Sequence, residues 1–397
     1  MRKRISNGLG CAGFIAALVA MQPAQAQTFS TIYTFTGGAD GATPFANLLL
    51  NGGVLYGTTS GGGAHNAGAV FQVITTTPYT ETVLHSFAGG RADGAAPLGG
   101  LIRDSTGDLY GTTYGGGAHF LGTVFELPVA GGITLLHSFK GPPSEGIGPA
   151  GTLVMDHAGN IYGTTYAGGD STGFGTVFEI TAGGTYTTGQ SFSPDGALPR
   201  AGLVLVNGSL YGTTYGGGAH QYGGTVFEVA VTTALYTFTG GSDGSNPLDS
   251  LISDGQGNLY GTTAEGGNGS FGSGLGVIFE LSLTTGQESV LHTFTGPDGS
   301  APTGSLVRDS EGNLYGTTSL GGANGFGTVF ELDTLGNLTT LYSFTGGADG
   351  ASPFAGLVLD GSGNLWGVTT AGGSAAAPGG YGTVFEVNPT GCGPCVK

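Results

Sequence analysis

Charged side chains are scarce in this chain: Asp, Glu, Lys and Arg make up 9% of its 397 residues, and they are one-sided, 26 acidic against nine basic, for a net charge of −17. Nucleic acid binders gain affinity from Lys and Arg set against phosphates, so nucleic acid is excluded as a partner class. Anionic surfaces are disfavoured for the same reason, while divalent cations would be suited. Cysteine is nearly absent, with only Cys11, Cys392 and Cys395, and no disulfide framework can be holding the fold. There is one tryptophan, Trp366, and no run of eighteen apolar residues, the length a membrane-spanning helix requires. Helical periodicity is missing as well. The apolar segments are four to seven residues long, rich in Val, Leu, Thr, Tyr and Phe, and bounded by Gly, Asp, Asn or Pro, which predicts an all-β chain.

The first segment present is a leader. Residues 1–26 carry Arg2, Lys3 and Arg4, an apolar stretch from Cys11 to Met21, and the small-x-small ending Ala24-Gln25-Ala26, the pattern of a secretory signal peptide. The sequence therefore predicts an exported protein, periplasmic or extracellular, with a domain over 27–387, a short tail over 388–397 and no transmembrane segment in the mature chain. Cleavage would leave Arg91, Arg103, Lys140, Arg200, Arg308 and Lys397 as the only basic residues against all the acidic ones. The 85 glycines would suit disorder. The recurring Val, Leu, Tyr and Phe argue otherwise, because they supply apolar area to offset chain entropy.

Those residues recur in a phrase. Its clearest copy reads Asn313-Leu314-Tyr315-Gly316-Thr317-Thr318, then a glycine-rich spacer, then Gly327-Thr328-Val329-Phe330-Glu331-Leu332, and it appears seven times, opened by Tyr56, Tyr110, Tyr162, Tyr211, Tyr260, Tyr315 and Trp366. A period of about fifty residues is that of an array or propeller. An aromatic strand such as Tyr342-Ser343-Phe344, followed by an Asp-Gly turn and a proline, and a short apolar run such as Gly304 to Asp309 repeat in step with it. The links between the first two strands, Asp360-Gly361-Ser362-Gly363-Asn364 or the shorter Asn207-Gly208, are tight-hairpin chemistry, since Gly and Asn accept the positive φ such turns need.

Four strands follow per unit, which we label A (Ala355 to Asp360), B (Asn364 to Thr369), C (Gly382 to Val387) and D (Leu338 to Phe344 of the preceding unit). Seven such units predict a seven-bladed β-propeller of four-stranded antiparallel blades; an open β-solenoid is the alternative. The region begins with a lone D strand, Ser30 to Phe35, and finishes with A, B and C. The N-terminal strand is thus expected to complete the last blade and leave no unpaired edge. In this order the glycine-rich B–C spacers and the Asp-Gly D–A turns share one face of the disc.

At its Leu-Tyr-Gly-Thr-Thr and Gly-Thr-Val-Phe-Glu phrases, from Thr31 to Val387, the chain resembles the GloVer tandem-repeat proteins, exported bacterial proteins whose members carry various cell-surface sorting tails. The resemblance implies export and repeat architecture and no enzymatic activity. Asn388 to Lys397 contains no apolar anchor segment.

Several residue sets invite a chemical reading. The Asp-Gly turns place Asp40, Asp93, Asp195, Asp243, Asp298 and Asp349 on one face, with Glu145 standing in once. Such a ring of oxygens could hold calcium, although Asp before Gly also caps a turn by accepting a backbone amide, and that reading is preferred. No other cofactor is implied. The strand C glutamates (Glu126, Glu179, Glu228, Glu280, Glu331, Glu386) recur in six units; repetition points to architecture, with a tyrosine or threonine hydroxyl as the expected partner. Gly-Gly-Gly-Ala-His ends at His65, His119 and His220 with no metal-ligand spacing beside it, and flexible loop is the expected state. Tyr114, Tyr166 and Tyr215 open three of the spacers, where they could stack on a sugar or simply edge the core. Cys392 and Cys395 spell a redox pair, but no helix follows to lower a thiol pKa, and a local disulfide is expected instead.

No unique nucleophile–histidine–acid constellation stands out. The expectation is a binding or structural module for a glycan, a cell-envelope component or another exported protein, through the B–C and D–A loop face. The alternative is an extracellular hydrolase or lyase with a channel site, assisted by calcium; a non-repeated carboxylate or histidine pair facing the channel would favour it.

Overall fold

Every residue of the repeated phrase has a steric or hydrogen-bonding duty. In blade 6 the strands are A Val307–Arg308, B Leu314–Thr318, C Thr328–Leu332 and D Leu338–Ser343. Gly316 lies opposite Phe330 across the B–C ladder, and a Cβ on it would sit 2.6 Å from the Phe330 ring tip. Only glycine lets that ring lie flat over strand B. Thr318 Oγ1 is 2.8 Å from Thr328 Oγ1, closing the ladder's upper end, while Thr317 Oγ1 donates to the Ala355 carbonyl of the next blade at 2.7 Å. Leu314, Val329 and Phe330 are buried.

The structure, a computed structural model, describes residues 27–194, 196–218, 223–231, 233–267, 274–374 and 379–389. It repeats this blade seven times, with strand order A-B-C-D in each, in an all-β ring with no helix among the described residues. The other B strands are Val54–Gly61, Leu109–Thr113, Ile161–Thr165, Ser209–Thr214, Asn258–Thr263 and Leu365–Thr369. The N-terminal strand Thr28–Thr34 pairs antiparallel with strand C of blade 7, Thr383–Asn388, from Thr28 opposite Asn388 to Thr34 opposite Thr383, with one register shift between Thr31 and Tyr33. The ring is closed as its phase predicts.

Packing between blades is equally regular. The strand C phenylalanine of each blade meets, edge to face, the phenylalanine that ends strand D of the blade before it. Phe35–Phe71, Phe87–Phe125, Phe139–Phe178, Phe192–Phe227, Phe238–Phe279, Phe294–Phe330 and Phe344–Phe385 have centroids 4.8 to 5.3 Å apart. This is a favoured aromatic geometry, and the first pair joins the N-terminal strand to blade 1.

Two expectations need correction. Strand A is shorter than its apolar run, since of Ala355 to Asp360 only Val358–Leu359 joins the ladder. The residues before it are drawn away from strand B to pack on neighbouring blades at the axis. The glycine spacers, where described, are not free loops. Their first residues pair with the D–A turn, as Gly115–Gly116 with Gly94–Ala95 and Ala167–Gly168 with Gly146–Ile147, or by single bridges such as Ala351 to Ala371. His65 and His119 stand exposed beyond these anchors, and His220 lies outside the described residues. No helix among the described residues is long and apolar enough to cross a membrane.

Candidate functional site

Each D–A turn ends in a proline, after which the chain descends along the ring axis to the leucine that begins the inner strand. The segments are so close that side chains are squeezed out: a Cβ on Gly151 would lie 2.4 Å from the Ala201 carbonyl oxygen, and one on Gly304 2.3 Å from the Gly356 nitrogen. Asn47 of blade 1 clasps blades 6 and 7, donating to Ser305 Oγ at 2.7 Å and accepting from the Gly356 amide at 2.6 Å. The channel narrows here, and a cavity of about 260 Å³ opens above it toward the D–A and B–C face.

The residue after each proline forms the cavity's ring: Phe45, Leu98, Ala150, Arg200, Leu248, Thr303 and Phe354. Six are uncharged; the seventh is an arginine. Phe45 and Phe354 stack at 4.9 Å and form one wall. At the next position down, where the other blades carry Ala or Gly, blade 5 has Asp249. Its Oδ1 accepts the Ser250 amide at 2.6 Å and its Oδ2 the Ser305 amide at 2.8 Å. Burial pushes this carboxyl's pKa up despite those bonds and the Asn47 side chain beside it.

All three tyrosines singled out in the sequence come to this mouth. Tyr114, 42% exposed, and Tyr166 line the cavity. Tyr166 and Tyr215, from adjacent blades, both face the Arg200 guanidinium, with Cζ 4.8 and 4.7 Å from the two ring centroids. At this distance each ring face attracts the cation.

The Asp-Gly carboxylates lie away from the mouth and are bonded within their own turns. Asp40 accepts the Thr36 amide at 2.7 Å, the Thr36 hydroxyl at 2.6 Å and the Tyr33 hydroxyl at 3.0 Å. Asp93 and Asp298 accept the amides of Ala88 and Thr295 and ring nitrogens of His85 and His292; Asp243 and Asp349 accept Thr239 and Thr345 amides and Tyr236 and Tyr342 hydroxyls. Burial alone would raise Asp40, Asp93 and Asp298, but these bonds hold all three below the usual carboxylate range. Asp195, Cys392 and Cys395 lie outside the described residues. Three of the six strand C glutamates are paired on the opposite face, where Tyr110, Tyr162 and Tyr315 hydroxyls approach Glu126, Glu179 and Glu331 at 3.0, 3.1 and 3.4 Å.

Two rim carboxyls are less settled. Glu81 and Glu288 begin equivalent D strands and pack against Tyr33–Asp40 and Tyr236–Asp243, and each leaves a buried Oε1 without a hydrogen-bond partner. Burial first, then the neighbouring aspartate, pushes both up to about 7.

Residues 13–156, 74–273 and 268–393 match the Gloeobacter/Verrucomicrobia repeat. The chain belongs to that family. No curated protein matches this Gloeobacter/Verrucomicrobia repeat protein. Among solved structures, a streptogramin B lyase is similar at 15% identity, covering 92% of this chain and 99% of its own, with a TM-score of 0.59. The extracellular domain of a B. thetaiotaomicron protein provisionally described as a hybrid two-component system has 14% identity, covers 91% of this chain and 41% of its own, and gives 0.59. A Bacteroides fragilis protein provisionally described as a 6-phosphogluconolactonase has 20% identity, covers 79% and 86%, and gives 0.51. Identities this low carry the propeller fold alone.

Arg200, Asp249, Asn47 and the Phe45–Phe354 wall are the mouth residues that the motif reading of this repeat protein passes over. Their signal was present at a fixed offset from each proline, where one blade breaks the pattern with Arg and another with Asp. A second concavity, about 640 Å³, lies where strand D of blade 4 shrinks to Tyr236–Thr237; its described lining residues carry no charge.

Proposed function

We propose that this protein is an exported binding module that takes a glycan of the cell envelope or its surroundings in the mouth of the propeller channel. The observation that carries the reading is where the blades stop being alike. Their cores, turns and interblade pairs repeat, whereas Tyr114, Tyr166, Tyr215, Arg200 and Asp249 gather at one end of the axis. Aromatic faces beside a few polar groups in a concave mouth suit a sugar ring, apolar on its faces and hydroxylated at its rim. The lyase and lactonase neighbours share only the fold with this chain. Hydrolysis by paired carboxylates needs two acids flanking one bond, whereas the described residues of the mouth lining include one acid, Asp249, and no histidine; binding is therefore favoured over turnover.

The test is an array of bacterial and plant polysaccharides probed with the mature protein and with Tyr166→Ala. A glycan retained by the wild type and lost at least tenfold by the variant, with an unchanged melting temperature, supports the mouth as the site. Equal retention by both proteins would move the site elsewhere.

A further inference from the structure

Arg200 is the only cation among the cavity-lining residues. Its guanidinium lies against both the Tyr166 and Tyr215 rings, and its one polar contact among the described residues is a 3.5 Å approach of Nη2 to the Tyr166 hydroxyl. The salt bridges among the described residues join His85 to Asp93, His137 and Lys140 to Glu145, and His292 to Asp298; Arg200 takes part in none of them. In a chain with 26 acidic residues, an exposed arginine with no carboxylate partner among the described residues, flanked by two aromatic faces at the rim of a cavity, needs a reason.

Its setting supplies one. Two rings with centroids 4.8 and 4.7 Å from Cζ flank the guanidinium while Arg200 stays exposed, so N–H groups remain open to solvent, and these form the fork that grips a carboxylate through two parallel hydrogen bonds. Packed against both rings, the side chain gives up less rotational freedom on binding than a free arginine would. The charge also selects the anion. One guanidinium in a strongly acidic protein matches a singly charged carboxylate better than a doubly charged phosphate, which generally gathers several cations. Asp249 opposes this less than a free carboxylate would, since its two oxygens already accept the Ser250 and Ser305 amides and burial disfavours its charged form. Thr152 at the cavity wall accepts the Gly100 amide at 3.0 Å and keeps its own hydroxyl hydrogen to donate.

We infer that the mouth is built for a carboxylated sugar, with the carboxylate on Arg200, the ring against Tyr114 and the Phe45–Phe354 wall, and hydroxyls toward Thr152. This rests on the mouth being a glycan site and adds the chemical class of its occupant. A cavity of about 260 Å³ is below the size of drug-sized pockets, so a single terminal uronate residue is the expected fit.

Calorimetric titration of the mature protein with oligomers of galacturonate, glucuronate and mannuronate, and with the same oligomers after reduction of their carboxyls to primary alcohols, tests it. The expected result is binding of at least one acid oligomer, a tenfold or greater loss on carboxyl reduction, a similar loss in Arg200→Gln, and partial retention in Arg200→Lys. Weakening with added salt should appear in the wild type and vanish in Arg200→Gln. If reduced and acidic oligomers bind alike and Arg200→Gln binds as the wild type, the carboxylate assignment falls. In that case a loss in Tyr166→Ala keeps the mouth as the site, and no loss removes both. If no acid oligomer binds while a neutral glycan does, the carboxylate assignment is also overturned.

Discussion

Gly163 and Phe178 face each other across strands B and C of blade 3, and their dependence can be measured as a change of sign. A Cβ at 163 would lie 2.5 Å from Phe178 Cζ and 2.8 Å from Leu153 Cδ2, well inside the roughly 3.5–4.0 Å at which carbons rest. Overpacking of this kind costs about 1–3 kcal/mol, and removing glycine's backbone freedom returns about 0.5–1 kcal/mol, so Gly163→Ala should destabilise the protein by roughly 0–2.5 kcal/mol. Phe178 is fully buried and pairs with Phe139 at 5.2 Å, and Phe178→Ala should cost about 3–5 kcal/mol. Once the ring is gone the methyl meets only the Leu153 Cδ2 end, a flexible tip that can shift into the space the ring leaves. Gly163→Ala should then stabilise the Phe178→Ala protein by about 0.5–1 kcal/mol through the unfolded chain. Urea unfolding of the four proteins, compared at equal m-values, reads the cycle. A Gly163→Ala cost equal in both backgrounds, to within about 0.5 kcal/mol, would show that the glycine is not there for the phenylalanine.

Further expectations follow from the closure and the rim. Removing Thr28–Phe35 exposes the edge of Thr383–Asn388 and breaks the Phe35–Phe71 pair; the melting temperature should fall sharply, and a deletion protein that melts with the full chain would disprove closure by this strand. Glu81 and Glu288 take up protons on folding, since their folded values near 7 exceed the ordinary 4.5. Their contribution is full below about pH 4.5 and is lost as pH rises through 7; Glu81→Gln with Glu288→Gln should therefore flatten the fall in melting temperature between pH 5 and 8, and an unchanged slope would refute the assignment. The Asp-Gly carboxylates are bonded within their own turns, so melts in calcium and in excess chelator should superimpose. A chelator-induced drop of several degrees would instead make those turns ion sites.

Blade number, strand order and closure were legible because the repeat has a phase: a lone Tyr33-Thr34-Phe35 at the start and an unpartnered Gly382 to Glu386 near the end leave one arrangement without free edges. The inner strand was misjudged because Ala355 and Gly356 look like strand residues and are in fact spent on contacts with Ser305 and Asn47 of other blades. Tyr114, Tyr166 and Tyr215 were visible as a trio since each follows the same Thr-Thr pair. Arg200 and Asp249 escaped for the opposite reason. A search for repeated or sequence-adjacent groups passes over residues that matter by breaking a pattern, and nothing local says that the position after a proline faces the axis. That meaning exists only once seven blades close into a ring.

The pairing of Thr28 with Asn388 also fixes which way the disc faces. In the other blades a turn joins strands C and D; in blade 7 that turn is open, and the chain enters and leaves there side by side. The C–D turns lie on the side away from the D–A turns that surround Arg200. Any segment attached before Thr28 or after Asn388 therefore leaves from the back of the disc. A tether at either end, natural or engineered, would present the mouth outward, and a surface coated through either terminus would display the same face to whatever it is meant to capture.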